Sequence, residues 1–149
     1  MRIAILNGPN LNLLGRREPT IYGTRSMEQV LLDIQRAYPD VYLEYHQSNH
    51  EGVLIDWVQE LGVLGQRQEL DGIVLNAGGY THTSVALRDA VACSQVPVVE
   101  VHVSDITARE DFRRVSLMSD VCAHTIMGHG VNGYLEGVEW IIKQTSGNK

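Results

Sequence analysis

The sequence predicts a single α/β domain in three layers: a five-stranded parallel sheet in the flavodoxin-like order 2-1-3-4-5, with helices on both faces. Two observations lead there. Short aliphatic runs alternate strictly with segments whose apolar residues recur at helical spacing, which implies right-handed βαβ crossovers and a sheet covered on both sides. With 149 residues, 44% apolar and 20% charged, the chain has the size and composition of one ordinary globular domain, expected to span 1–149 around one core.

Arg2 to Leu6 is the first aliphatic strand, and the Gly/Pro/Asn-rich stretch from Asn7 to about Arg25 reads as a long loop. Ser26 is placed to cap the first helix, where Met27, Val30, Leu31 and Ile34 form the apolar stripe and Tyr38-Pro39-Asp40 stops it. Val41 to His46 follows as the second strand. A helix from Glu51 to near Gly65 carries Val53, Leu54, Trp57, Val58 and Leu61, and Asp71-Gly72 turns into the third strand, Ile73-Val74-Leu75. Thr81 or Thr83 begins the next helix, through Val85, Leu87, Arg88 and Val91. Pro97 then opens a fourth strand reaching Val103. Beyond an Arg-rich connector, Cys122 to Met127 reads as the fifth strand. The closing helix runs from Val131 to Gln144, with Leu135, Val138, Ile141 and Ile142 on one face.

Composition excludes several mechanisms. Only two lysines occur, Lys143 and Lys149, against ten arginines. A Schiff-base enzyme needs a lysine amine in a pocket, and a P-loop needs one directly after its glycine-rich turn. The chemistry therefore rests on arginine, histidine, tyrosine and backbone amides. A net charge of −6 argues against nucleic acid as a partner, while local arginines can still hold a small anion. No apolar run approaches a bilayer span, so no membrane association is expected. The run Ile3-Ala4-Ile5-Leu6 ends in Asn-Gly-Pro-Asn, turn chemistry rather than a signal peptide. Cys93 and Cys122 are expected to be buried, reduced thiols of a cytoplasmic protein, in helix and strand respectively.

In a sheet of this order, ligands bind beyond the carboxyl ends of the strands, at the switch between strands 1 and 3. Strand 1 is followed by Asn7, Asn10, Asn12, Arg17 and Tyr22, and strand 3 by Asn76 through His82. Glu100 and His102, two residues apart, share one face of strand 4, and Ser104, Arg109, Arg113 and Arg114 come after them. Each alone has an ordinary structural use: Asn10 in a turn, Thr81 as an N-cap, Arg114 as a solvated charge, Glu100 as a buried partner of some arginine. Convergence on one crevice is what marks a site. Glu100, His102 and His82 lack the tight spacing of a zinc motif, so no metal is expected. His46, His50, His124 and His129 read as surface or interface residues, and Trp57 and Trp140 as packing residues. As a non-enzymatic module the chain fits poorly. A phospho-receiver needs acidic residues where Asn7 and Asn76 stand, and an FMN site wants a Ser/Thr-rich loop where Gly-Pro-Asn-Leu-Asn stands. A serine hydrolase would need a Gly-x-Ser-x-Gly elbow.

Long ordered strings carry a family resemblance. They are Asn7-Gly8-Pro9-Asn10-Leu11-Asn12-Leu13-Leu14-Gly15, Arg17-Glu18-Pro19 to Tyr22-Gly23, Asn76-Ala77-Gly78-Gly79-Tyr80-Thr81-His82 through Ala90, Glu100-Val101-His102-Val103-Ser104, Arg109-Glu110 with Phe112-Arg113, and Gly133-Tyr134. Together, from first strand to last helix, they are similar to the type II 3-dehydroquinate dehydratases. The resemblance implies anti elimination of water from 3-dehydroquinate, a cyclic β-hydroxy ketone bearing a carboxylate, through an enolate to 3-dehydroshikimate. It implies a place in the shikimate pathway or in quinate catabolism, and no metal or organic cofactor. The lysine count agrees, because type I enzymes for the same step use a lysine Schiff base. A cytoplasmic homododecamer of four trimers is also implied, with Asp89 reaching the site of a neighbouring subunit. Asp105, His124 and Glu136-Gly137 depart from the usual pattern, which has asparagine, glycine and a more apolar pair at these places.

The resemblance assigns Tyr22 as the base with Arg17 beside it, Asn10 as donor to the enolate oxygen directly or through water, and His102 as general acid oriented by Glu100. Asn76, His82, Val103, Ser104 and Arg113 hold the substrate: backbone amides at the end of strand 4 meet its carboxylate, and Arg113 reads ring hydroxyls. The side-chain chemistry suits these roles. Free tyrosine keeps its proton to about pH 10, and a guanidinium about 4 Å from a phenolate oxygen contributes roughly 4 kcal/mol at an effective dielectric near 20. Histidine titrates near neutral pH, as a general acid requires.

Overall fold

The computed structural model describes residues 1–16 and 18–147. Five strands, β1 (Arg2–Asn7), β2 (Tyr42–Gln47), β3 (Gly72–Asn76), β4 (Val98–His102) and β5 (His124–Met127), pair in parallel in the order β2-β1-β3-β4-β5. The helices are α1 (Pro19–Tyr22), α2 (Met27–Ala37), α3 (Glu51–Gln66), α4 (Val85–Ala92) and α5 (Asn132–Gly147). None of the described helices is long and apolar enough to cross a membrane.

Where one core was expected, alternate residues of the strands feed two, one on each face of the sheet, which is why the strands read as continuous aliphatic runs. Ile3, Ile5, Val74, Val99 and Val101 pack against Val30 and Ile34 of α2 and Tyr134, Val138 and Ile141 of α5. On the other face Ala4, Leu6, Ile73, Leu75 and Val98 meet Leu54, Val58 and Leu61 of α3 and Leu87 and Val91 of α4. Ser26 caps α2 with a reciprocal box: its Oγ accepts from Gln29 N–H at 3.3 Å, and Gln29 Oε1 accepts from Ser26 N–H at 3.0 Å.

Four local readings differ from expectation. The stretch 7–25 is not a plain loop. It holds a 3-10 turn, Leu11–Leu13, and α1, which Pro19 opens at a first-turn position that needs no N–H. The cap of α4 is Ser84, whose Oγ accepts from Leu87 N–H at 2.9 Å, whereas Thr81 is fully buried in a 3-10 segment, Gly78–His82. Cys122 precedes β5 on a turn closed by its own N–H to Met118 O, and it is half-buried. Cys93 ends α4 and is exposed rather than buried; both thiols are free.

The register brings the site together. Asn7 of β1 lies beside Asn76 of β3 at the carboxyl end of the sheet. One residue on, Gly8 N–H donates to Asn76 O at 2.7 Å, and a Cβ at Gly8 would stand 2.4 Å from Ala77 O. Only glycine allows the two loops to touch there.

Candidate active site

Beyond these strand ends lies a crevice of about 150 Å³, lined by Asn10, Tyr22, Asn76, His82, His102, Val103, Ser104 and Arg113, with Pro9, Leu11, Gly78, Gly79, Ile106 and Arg109. Eight residues expected at the site thus share one cavity. Glu100 and Asp89 are outside the lining, and Arg17 lies outside the described residues.

Asn10 begins the 3-10 turn after β1 in the left-handed region, φ 68°, a conformation that asparagine tolerates. Its backbone N–H donates to Asn49 Oδ1 at 3.0 Å. Asn76 is pinned at both ends of its amide: Nδ2 donates to Tyr134 Oη at 2.9 Å, and Oδ1 accepts from Gly78 N–H at 3.1 Å. The Tyr134 hydroxyl in turn donates to Asn7 Oδ1 at 2.9 Å. Burial, above all, pushes the Tyr134 phenol far above its ordinary value, so it stays a neutral bridge between the ends of β1 and β3. His82 Nδ1 lies 2.8 Å from Val115 O, which ties the turn after β3 to the connector.

Glu100 and His102 form a buried couple, 1% and 5% exposed, with His102 Nε2 2.5 Å from Glu100 Oε1. Ser116, Ser119 and Thr125 hydroxyls also donate to this carboxylate. Burial acts to raise the Glu100 carboxyl, but His102 and the serine hydroxyls outweigh it and hold the group below its ordinary value. The expected partnership of Glu100 with His102 is therefore present, and among the described residues no arginine pairs with Glu100.

Sequence reasoning placed Arg109 among the residues converging on the crevice but assigned it no role there. Its Nη1 donates to Tyr22 Oη at 2.8 Å and approaches Ser104 Oγ at 3.5 Å, and the guanidinium carbon stands 5.6 Å from the centre of the Tyr22 ring. The signal available was its place in the Arg109-Glu110 string five residues after Ser104. Arg113 enters the crevice with Nε 3.1 Å from Glu110 Oε2, close enough for an ion pair but outside hydrogen-bond geometry. Asp89 sits exposed on α4. Away from the crevice, His46 is half-buried beside Glu44 and tilted against Trp57, and His124 stacks on Trp140. These two histidines are thus packing residues as well as edge residues. Among the described residues no group of three or more His, Cys, Asp or Glu side chains is arranged to hold a metal ion.

The family described as dehydroquinase class II matches residues 1–142. A 3-dehydroquinate dehydratase of Halothermothrix orenii is 47% identical over 95% of this chain and 93% of its own length. One from an Exiguobacterium species is 48% identical over 96% and 95%. Among solved structures, a type II dehydroquinase from Butyrivibrio crossotus superposes with a TM-score of 0.88 at 42% identity, covering 95% of this chain and 97% of that one.

Proposed function

The chain belongs to the class II dehydroquinases, and on that premise we propose how its crevice carries out the reaction. It is a hydro-lyase that removes water from 3-dehydroquinate to give 3-dehydroshikimate, a step of the shikimate pathway. Tyr22 takes the proton from the carbon next to the ketone. The observation that carries this reading is the 2.8 Å hydrogen bond from Arg109 to the Tyr22 hydroxyl, in the same crevice as the buried Glu100–His102 couple. The Arg109 guanidinium donates to the oxygen that receives the proton, and Arg17, five residues before Tyr22 in the sequence, supplies a second cation in this scheme. Asn10 donates to the enolate oxygen, directly or through water, where charge develops. His102 gives its proton to the departing hydroxyl, and the carbon–oxygen bond breaks as water forms. Glu100 fixes the imidazole and balances its charge.

Recognition is assigned to Asn76, His82, Arg113, Ser104 and the backbone at Val103, all in the lining. The amide of Asn76 is held at both ends, which supports a fixed role for it toward ring hydroxyls. We infer a cytoplasmic, single-domain protomer in a homododecamer of four trimers, in which Asp89 serves the neighbouring site. The exposure of Asp89 on α4, outside its own crevice, supports that inference.

No imine is formed in this scheme. Activity is expected to survive borohydride in the presence of 3-dehydroquinate, and likewise exhaustive EDTA. Inactivation by borohydride would require an amine nucleophile at Lys143, Lys149 or the N-terminus and would overturn the Tyr22 mechanism.

A further inference from the structure

The carboxylate of Glu100 is more fully bonded than an ion pair with one imidazole requires. Oε1 accepts from His102 Nε2 at 2.5 Å and from Ser116 Oγ; Oε2 accepts from Ser119 Oγ at 2.6 Å and Thr125 Oγ1 at 3.0 Å. Two donors on each oxygen fill the lone-pair sites of a carboxylate. The three hydroxyls come from the segment after the connector and from β5, 16 to 25 residues away in sequence. Ser116 Oγ accepts from Met118 N–H at 3.0 Å, which leaves its own hydrogen for Glu100. Nothing in the reaction uses these hydroxyls directly, since none of the three lines the crevice.

Each hydroxyl draws on the negative charge that also binds the imidazolium, so the donors compete for one anion. We propose that Ser116, Ser119 and Thr125 are positioning residues for the acid step: they aim the Glu100 carboxylate and share its charge, so that His102 releases its proton readily to the departing hydroxyl. The inference rests on the reading of His102 as general acid. Without the hydroxyls, Glu100 would bind the imidazolium more strongly and make His102 a weaker acid.

Among the described residues, the other charged or titratable groups near the couple are Cys122 on the turn before β5, Asp120 with its partner Arg88 of α4, and Tyr22, His82, Arg109 and Arg113 in the crevice. Burial, then the charges of Glu100 and Asp120, push the Cys122 thiol up to about 12, so it stays neutral over the working range. It does not compete as a titrating group.

Thr125→Val, which keeps the shape and removes the hydroxyl, and Ser119→Ala test the proposal. Thr125→Ser and Ser119→Thr serve as hydroxyl-keeping partners. One readout is the titration midpoint of the His102 Cε1–H resonance, assigned by its loss in His102→Asn; the other is the alkaline limb of kcat against pH, with KM measured alongside. Both midpoints are expected to move upward by about half a unit or more. The kcat plateau should fall several-fold while KM changes by less than about twofold. The hydroxyl-keeping variants should return both midpoints toward wild type. A His102 resonance that is unmoved or lowered in the hydroxyl-free variants overturns the positioning role of the three hydroxyls, even if they melt earlier, because lost packing alone does not predict an upward shift. If the resonance moves and the kcat limb does not, the hydroxyls' effect on the Glu100–His102 couple stands and the role of His102 as general acid falls. Ser119, only half-buried, provides the test should Thr125→Val fail to fold.

Discussion

A tyrosine can serve as a base only where a cation meets its oxygen, and Arg109 does so at 2.8 Å. Tyr22→Phe deletes the base but none of the recognition groups. It should lower kcat by at least about a hundredfold and leave substrate binding within about tenfold; equal losses in both would mean a structural role. Arg109→Lys keeps the charge but not the longer, planar guanidinium that carries Nη1 to the Tyr22 and Ser104 hydroxyls, so kcat should drop by about tenfold or more. Near-wild-type turnover would remove Arg109 from the chemistry. Glu100 ties the site to acid stability. Its carboxyl is held below the ordinary value of 4.5 in the folded protein, so the ionised form favours the fold. That contribution is complete above the carboxylate range of the unfolded chain and is lost as pH falls through the folded value. In denaturant melts between pH 6 and 3, Glu100→Gln should be less stable at pH 6 and should show a shallower loss on acidification. A parallel loss in both proteins would contradict the linkage.

Elements with an internal signal were legible in the sequence, and those defined by the path of a loop were not. The first long helix carried its own start, because Ser26 and Gln29 satisfy each other locally. Ser26→Ala should cost about 1 kcal/mol and lower the melting temperature by about 3 °C, with kcat unchanged; no shift would mean that the box adds nothing. The start of α4 was harder to read, since Thr81, Thr83 and Ser84 are all residue types that cap helices. Tertiary context chose Ser84, because Thr81 faces inward with its Oγ1 buried and without a hydrogen-bond partner. Cys122 looked like strand because it is apolar and adjoins His124 to Met127, but backbone bonds to Met118 keep it in a turn. Pro19 was a helix-start signal inside a stretch read as loop.

For the whole molecule, topology did most of the work. The strand order alone put the residues after β1, β3 and β4 at one crevice, and eight of the expected site residues line it. The contact of Arg109 with Tyr22 and the hydroxyls around Glu100 escaped because their placement depends on how the connector folds back, which no spacing rule encodes. Assembly belongs to this scale as well. If Asp89 acts across an interface, mixing Tyr22→Phe and Asp89→Ala subunits after dissociation should restore part of the activity, since some sites receive an intact contribution from each chain. A fully active monomer at nanomolar concentration would contradict shared sites. The most direct measurement is the enone absorbance of 3-dehydroshikimate on adding 3-dehydroquinate to the purified protein, with Tyr22→Phe run in parallel. The mechanism predicts a rise with the wild type and almost none with the variant; no rise with the wild type, or equal rises with both, would contradict it.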